Sequence, residues 1–267
     1  MDFCFENYLT TNLIPGIIME NLYNYSLTAI FSCALLVFIL LFFVSAPYGK
    51  FLRKGWGPSI KTKWAWLIME FLSPALITLF FILSDEKNVV QVIFVTAWLL
   101  HYVHRTFIYP FSQSGRNKPY PVVVVLMAMV FNSLNGFVNG YCVFHLKDYS
   151  PSWMLSWQFI TGIGLFIAGY IINKTADEKL RVLRSQNGES YVIPRGWLFE
   201  YISCPHYFGE LLEWAGWALM TWSVSGLAFF VFTFANLFPR AVASHRWYRK
   251  QFPDYPSKRK AVIPFII

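Results

Sequence analysis

Residues 27–46 read LTAIFSCALLVFILLFFVSA, twenty positions without a charged side chain. A helix of that length reaches about 30 Å, the thickness of a bilayer's hydrocarbon core. The preceding flank carries Asp2, Glu6 and Glu20 and no Lys or Arg, unlike the basic start of a cleaved secretory signal. The stretch therefore reads as a first true membrane span. The whole composition agrees: of 267 residues, 56% are hydrophobic, 20% aromatic and only 13% charged, against about 25% charged in an ordinary soluble domain. Disorder is excluded by this hydrophobicity. A disulfide scaffold is excluded because Cys4, Cys33, Cys142 and Cys204 are few and scattered.

Working outward, further spans are expected at 64–84, with Glu70 as its one charge, at 89–109, ending in His101, His104 and Arg105, and at 121–145 and 153–173. A polar stretch, 174–205, follows. Two short arms, 207–223 and 226–239, then form a hairpin turning at Val224, Ser225 and Gly226.

Charge placement tests this count, because cytoplasmic loops collect Lys and Arg. Lys50, Arg53, Lys54, Lys61 and Lys63 follow the first span. Arg105, Arg116 and Lys118 follow the third. Lys174, Lys179, Arg181, Arg184 and Arg195 follow the fifth. Arg240, Arg246, Arg249, Lys250, Lys258, Arg259 and Lys260 close the chain. Of the 22 basic residues only Lys87 and Lys147 fall elsewhere. Seven spans with the N-terminus outside and the C-terminus cytoplasmic put all four groups on one side. The expected fold is an all-α polytopic membrane protein with seven transmembrane helices. Without repeat, low-complexity tract or linker, 1–267 reads as a single domain: 1–25 an N-terminal extension, 26–145 spans one to four, 153–267 spans five to seven. The net charge of +8 then needs no nucleic acid, since topology and anionic lipid headgroups account for it.

Motifs of soluble enzymes are missing. No Walker A loop and no G-x-G-x-x-G after a strand occurs; Gly162 and Gly164 lie inside the fifth span and read as small residues for helix packing. His101 and His104 are too few for zinc, so no metal site is expected. The sequons at Asn24 and Asn173 lie against the membrane or on the cytoplasmic side, where glycosylation is not expected.

The apolar interior does hold polar groups, and an ionisable side chain at bilayer depth is a functional candidate by default. Glu70 suits an interhelical hydrogen bond or a site; in neutral form, a carboxylic acid can donate to a carbonyl. Tyr102 suits an interfacial aromatic or a second donor. His104 and Arg105 read as interface anchors. Asn173, Asp177, Arg181 and Arg184 fall at i, i+4, i+8 and i+11, one helical stripe suited to phosphate and ribose, or to water. For Arg181 alone the solvated face is the better reading. Glu210 and Glu213, with Trp214, lie on a short apolar helix and want donors. Arg240, Ser244 and Tyr248 repeat the i, i+4, i+8 spacing. A cation-lined chamber open to the cytoplasm, behind an apolar pocket holding Glu70 and Tyr102, is the expected arrangement.

Several stretches resemble the steroid 5α-reductase (3-oxo-5α-steroid 4-dehydrogenase) family: MEFLSP at 69–74, HYVHRTF at 101–107, YFGELLEW at 207–214, PRA at 239–241, HRWY at 245–248 and DYPSKRKAVIPF at 254–265. The resemblance covers roughly residues 47–267. It implies an NADPH-dependent membrane oxidoreductase that reduces the C4–C5 double bond of a 3-oxo-Δ4 steroid, with hydride to C5 and a proton then added at C4. It implies that Glu70 and Tyr102 hold the 3-keto oxygen in a substrate pocket within 26–145. Arg116, Asn173, Asp177, Arg184, Glu210, Trp214, Arg240 and Tyr248 would hold NADPH in 153–267 and the neighbouring loop. An enone accepts hydride poorly until its carbonyl is polarised, so the pair makes chemical sense. A monomer among membrane lipids, taking its steroid from the bilayer, is expected in the endoplasmic reticulum or a bacterial inner membrane, according to host. Met69, Met127, His206 and Ser244 depart from common family residues, and the extra Asn117 and Lys118 let Lys118 take Arg116's place. The alternatives are a related reductase of polyprenal, another sterol or an enoyl thioester; a membrane S-adenosylmethionine-dependent methyltransferase; and a non-enzymatic lipid-binding protein.

Overall fold

The computed structural model describes residues 2–85, 87–188 and 190–267, with side chains from residue 16 onward. Asp2, Cys4 and Glu6, invoked above, lie outside the described side chains. Among the described residues, eight α-helices carry the fold. They are α1 (Asp2–Phe43), α2 (Thr62–Leu83), α3 (Val89–Val103), a short α4 (Tyr109–Ser112), α5 (Val122–Tyr141), α6 (Trp157–Gln186), α7 (Pro205–Thr221) and α8 (Val224–Gln251). Among the described residues, five helical stretches are long and apolar enough to cross a membrane: Gly16–Phe43, Thr62–Leu83, Val122–Leu146, Trp157–Gln186 and Val224–Gln251. Their outward faces expose Leu35, Ile39 and Phe43, Ile82 and Leu83, Leu126 and Val130. Apolar surface on that scale is stable in lipid and not in water. The chain is a helical integral membrane protein.

Local chemistry sets the boundaries. Asn88 caps α3, its side-chain oxygen accepting from the N–H groups of Val90 (3.0 Å) and Gln91 (3.1 Å). Ser156 caps α6 through Phe159 N at 3.2 Å. Pro205 starts α7 at a position where its missing N–H costs nothing.

Four expected boundaries are corrected. The hairpin turns at Trp222, in the left-handed region (φ 45°), and Ser223, because the Ser223 hydroxyl accepts from Gly226 N at 3.0 Å and starts α8 early. Helix α8 runs through Pro239 to Gln251, and α6 runs on to Gln186, because the polar stripe beyond the bilayer segment keeps its helical spacing. The third stretch passes through a wide π-turn, His104–Ile108, into α4. Two short strands, β1 (Ser59–Lys61) and β2 (Pro119–Pro121), pair antiparallel with Ile60 opposite Tyr120. Proline on both sides of Tyr120 keeps that segment extended.

Helices α6 and α7 touch backbone to backbone. A Cβ on Gly162 would lie 2.4 Å from Met220 N, one on Gly169 2.3 Å from Glu213 N, and one on Gly209 2.4 Å from Asn173 N. Gly162 thus plays the packing role read from the sequence, whereas Gly164 faces open space. Beneath lies an aromatic core in which Trp98 meets Trp217 (centroids 4.8 Å apart), Trp214 (5.4 Å) and Phe229 (5.4 Å). Such pairs add about 0.5–1.5 kcal/mol each beyond their buried area.

Candidate active site

A chamber opens between the Gly49–Phe51 turn, α4, β2, α6, α7 and α8. Seven basic residues line it (Lys50, Arg105, Lys118, Lys174, Arg181, Arg184 and Arg240) against three acids, Asp177, Glu178 and Glu210. The stripe Asn173, Asp177, Arg181 and Arg184 all face it, as their spacing on α6 requires. Arg181 is engaged by its neighbour Glu178, Nε to Oε2 at 2.7 Å, on the exposed rim. Asn173 is buried and donates to His206 O at 2.9 Å and Glu210 Oε2 at 3.4 Å. Asn173 Oδ1, Lys174 Nζ and His206 Nδ1 are buried without a hydrogen-bond partner among the described residues.

The chamber draws on both halves of the chain, since Tyr48, Lys50, Lys118 and Tyr120 line it with residues from α6 to α8. Arg240 spans the Tyr48 and Tyr207 rings, 5.2 and 5.3 Å from their centroids, and donates to Asn236 Oδ1 at 2.8 Å. Tyr248 stacks on Tyr255 at 5.5 Å. Lys50 enters a ring of aromatics, its Nζ 4.6 Å from the centroid of Tyr248, 4.8 Å from Trp247, 5.5 Å from Phe51 and 5.9 Å from Tyr191. Burial pushes the Lys50 ammonium down to about 8. Burial also raises the Cys204 thiol, to about 11, so this chamber-lining cysteine stays protonated near neutral pH.

Two expected cofactor residues lie elsewhere. Arg116 borders an outer hollow that adjoins the chamber and donates to Phe111 O at 2.8 Å, whereas Lys118 lines both the hollow and the chamber. Trp214 is buried in the aromatic core beside Tyr102 and does not reach the chamber surface.

Glu70 and Tyr102 lie behind the chamber. Tyr102 is buried on α3, its ring stacked on Trp98 at 5.3 Å and 20°. Glu70, on α2, accepts from Asn132 Nδ2 at 3.5 Å, and that amide also donates to Met69 O at 2.6 Å. Arg105 stands between the two compartments. Its Nε lies 3.9 Å from Glu70 Oε1 and its Nη2 3.6 Å from Glu210 Oε1, with the guanidinium 4.5 Å from the Trp66 ring centroid. Reading Arg105 as an interface anchor missed this bridge; two interior acids in want of a base, Glu70 and Glu210, were the available signal.

Comparison of the sequence with known proteins finds named relatives. The family model "3-oxo-5-alpha-steroid 4-dehydrogenase" matches residues 118–267. Steroid 5-alpha-reductase DET2 of Gossypium hirsutum is 44% identical over 255 residues, 92% of this chain and 98% of that protein. The Arabidopsis thaliana protein of the same name is 45% identical over 239 residues, covering 85% and 90%. 3-oxo-5-alpha-steroid 4-dehydrogenase 1 of Bos taurus is 38% identical over 246 residues, covering 90% and 95%. A match to more than half of this chain, with relatives this similar nearly end to end, leaves one conclusion: the chain belongs to the 3-oxo-5-alpha-steroid 4-dehydrogenase family of oxidoreductases.

Proposed function

We propose that this protein uses NADPH to reduce the C4–C5 double bond of a 3-oxo-Δ4 steroid. The observation that carries the reading is the bridge at Arg105, which joins a cation-lined chamber to the buried acid and phenol behind it. The chamber suits a dinucleotide. Its cations answer phosphates, and the unpartnered Asn173 Oδ1, Lys174 Nζ and His206 Nδ1 are hydrogen-bonding capacity that a polar ligand would use. Asn173, Asp177, Arg184, Glu210, Arg240 and Tyr248 would hold it, with Lys118 in the place expected for Arg116 and Trp214 backing the wall. Bound there, NADPH would supply the hydride that adds to C5, and a proton from solvent then adds at C4 to complete the reduction.

The chain's own residues do the rest. Tyr102 and the protonated Glu70 donate to the 3-keto oxygen and stabilise the negative charge that develops on it. Asn132 and Arg105 orient the Glu70 carboxyl. The aromatic core excludes water, which strengthens both donors. In this reading the steroid enters laterally from the bilayer into a pocket formed by 26–145. We place α3 with its continuation to Ser112, and α7, beside the five long stretches as two further spans. That puts the N-terminus outside and the C-terminus in the cytoplasm of a monomer, in the endoplasmic reticulum or a bacterial inner membrane.

Detergent-solubilised protein given NADPH and progesterone or androstenedione is expected to form the 5α-reduced steroid. Tight NADPH binding without product would redirect the substrate to a polyprenal or an enoyl thioester. No NADPH binding at all would sink the reading.

The aromatic-ringed Lys50 adds a pH dependence. With its ammonium held to about 8, it is charged below that pH and neutral above. An anionic cofactor should therefore bind more weakly as the pH rises through about 8, by up to about tenfold in Kd. Lys50→Arg should flatten that profile, and an unchanged inflection in the variant would assign it to another group.

A further inference from the structure

One hydroxyl beside the chamber gathers three parts of the chain. Ser203, just ahead of α7, is buried and lines the chamber. Its Oγ lies 2.6 Å from His245 Nδ1 on α8, 2.7 Å from the Tyr255 hydroxyl and 3.0 Å from Lys260 O. A carbonyl oxygen only accepts, so the single Ser203 proton goes to Lys260 O. Ser203 Oγ then accepts from the Tyr255 hydroxyl and from His245 Nδ1–H, which puts an imidazole proton on Nδ1. The main chain repeats the tie. Ser203 N donates to Lys260 O at 2.8 Å, Cys204 N to Ala261 O at 3.1 Å and Lys260 N to Tyr201 O at 2.8 Å.

This node reaches the chamber through Tyr255, which is not itself one of the chamber's lining residues. The Tyr255 ring stacks on Tyr248 at 5.5 Å and 18°, and the Arg259 guanidinium stands 4.9 Å from the same ring. Tyr248 does line the chamber, with Lys50 Nζ 4.6 Å from its centroid. Stacked rings admit several offsets and tilts. The bond at Ser203 selects one of them for Tyr255, and the stack passes that choice to Tyr248.

We propose that the Ser203 hydroxyl, with Tyr255 and His245, is a positioning node that holds Tyr248 in place for the cofactor. The inference rests on the reading of the chamber as the NADPH site. Ser203, Tyr255 and His245 are positioning residues here, and Tyr248 is the side chain that meets the ligand.

The test is NADPH affinity in the detergent-solubilised full chain, beside Tm and steady-state kcat with progesterone. Ser203→Ala leaves the Tyr255 and His245 donors without their acceptor and should lower Tm. It should also raise the Kd for NADPH about three- to tenfold, the cost of re-ordering a freed side chain on binding. Its kcat at saturating NADPH should stay within about threefold of wild type, since Glu70 and Tyr102 are untouched. Ser203→Thr keeps the hydroxyl and should restore most of the affinity. Tyr255→Phe keeps the stack, removes only the other hydroxyl and should raise Kd by a similar factor. The double variant should bind no more weakly than Ser203→Ala, because both changes break the same bond.

A lowered Tm at wild-type Kd in Ser203→Ala would make the node structural only and overturn the role. Additive losses in the double variant, or Ser203→Thr as weak as Ser203→Ala, would do the same. If the Ser203 variants do not accumulate as folded protein, Tyr255→Phe decides alone, and wild-type Kd in it overturns the role. Wild-type protein that binds no NADPH would overturn the reading of the chamber, and this role with it.

Discussion

Tyr102→Phe is expected to lower kcat by about 10²–10³, the usual cost of removing one donor from a developing oxyanion. The ring would remain stacked on Trp98 and edge-on to His101, so the lost hydroxyl is the whole change. Glu70→Ala should cost as much, and Glu70→Gln less, because an amide N–H still donates. Neither residue lines the cation-rich chamber, so NADPH affinity should hold in all three variants. The two losses should also fail to add, since both donors serve one oxygen. Product analysis and kcat with a saturating 3-oxo-Δ4 steroid make the measurement. Wild-type kcat in Tyr102→Phe would remove Tyr102 from the chemistry and leave the pocket to be reread around Arg105.

Gly169→Val is expected to disable the site from the other side. A Cβ there would lie 2.3 Å from Glu213 N and 2.5 Å from Gly209 O, both backbone atoms that cannot step aside. Helices α6 and α7 would have to part. Overpacking of this kind costs about 1–3 kcal/mol or more, which corresponds to a fall in Tm of roughly 2–4 °C per kcal/mol in a chain of this size. Because α6 carries Asn173, Asp177 and Arg184 and α7 carries Glu210, NADPH affinity should fall with stability, by more than about tenfold in Kd. Gly164→Val on the same helix is the control, since its Cβ would meet nothing within 4 Å. Equal Tm and Kd for the two variants would show that close approach at Gly169 is not what holds the chamber wall.

The residues show why some of this was legible and some was not. A twenty-residue run without charge has one stable home, so α1 and α5 were readable from composition alone, and α2 despite its Glu70. Spacing on one helix was equally safe: Asn173, Asp177, Arg181 and Arg184 were bound to share a face once α6 was a helix, and they do line the chamber together. Local spacing could not say which helices meet. The Arg105 bridge between Glu70 and Glu210 joins α2, the π-turn after α3, and α7, positions far apart in the chain. The exchange of Arg116 for Lys118 at the chamber wall depends on β1 and β2 pairing across the bundle. Trp214 was placed at the cofactor by resemblance, yet the aromatic core takes it, because an indole loses less by packing on Trp98 and Phe229 than by facing a polar chamber. The helical membrane architecture and the chemistry-bearing residue types were therefore determined by the sequence alone, through hydropathy and period. Which of those residues share a cavity was decided by the tertiary structure, because backbone contact at Gly169 and Gly209 and the shared Arg105 charge are long-range pairings that no local pattern encodes.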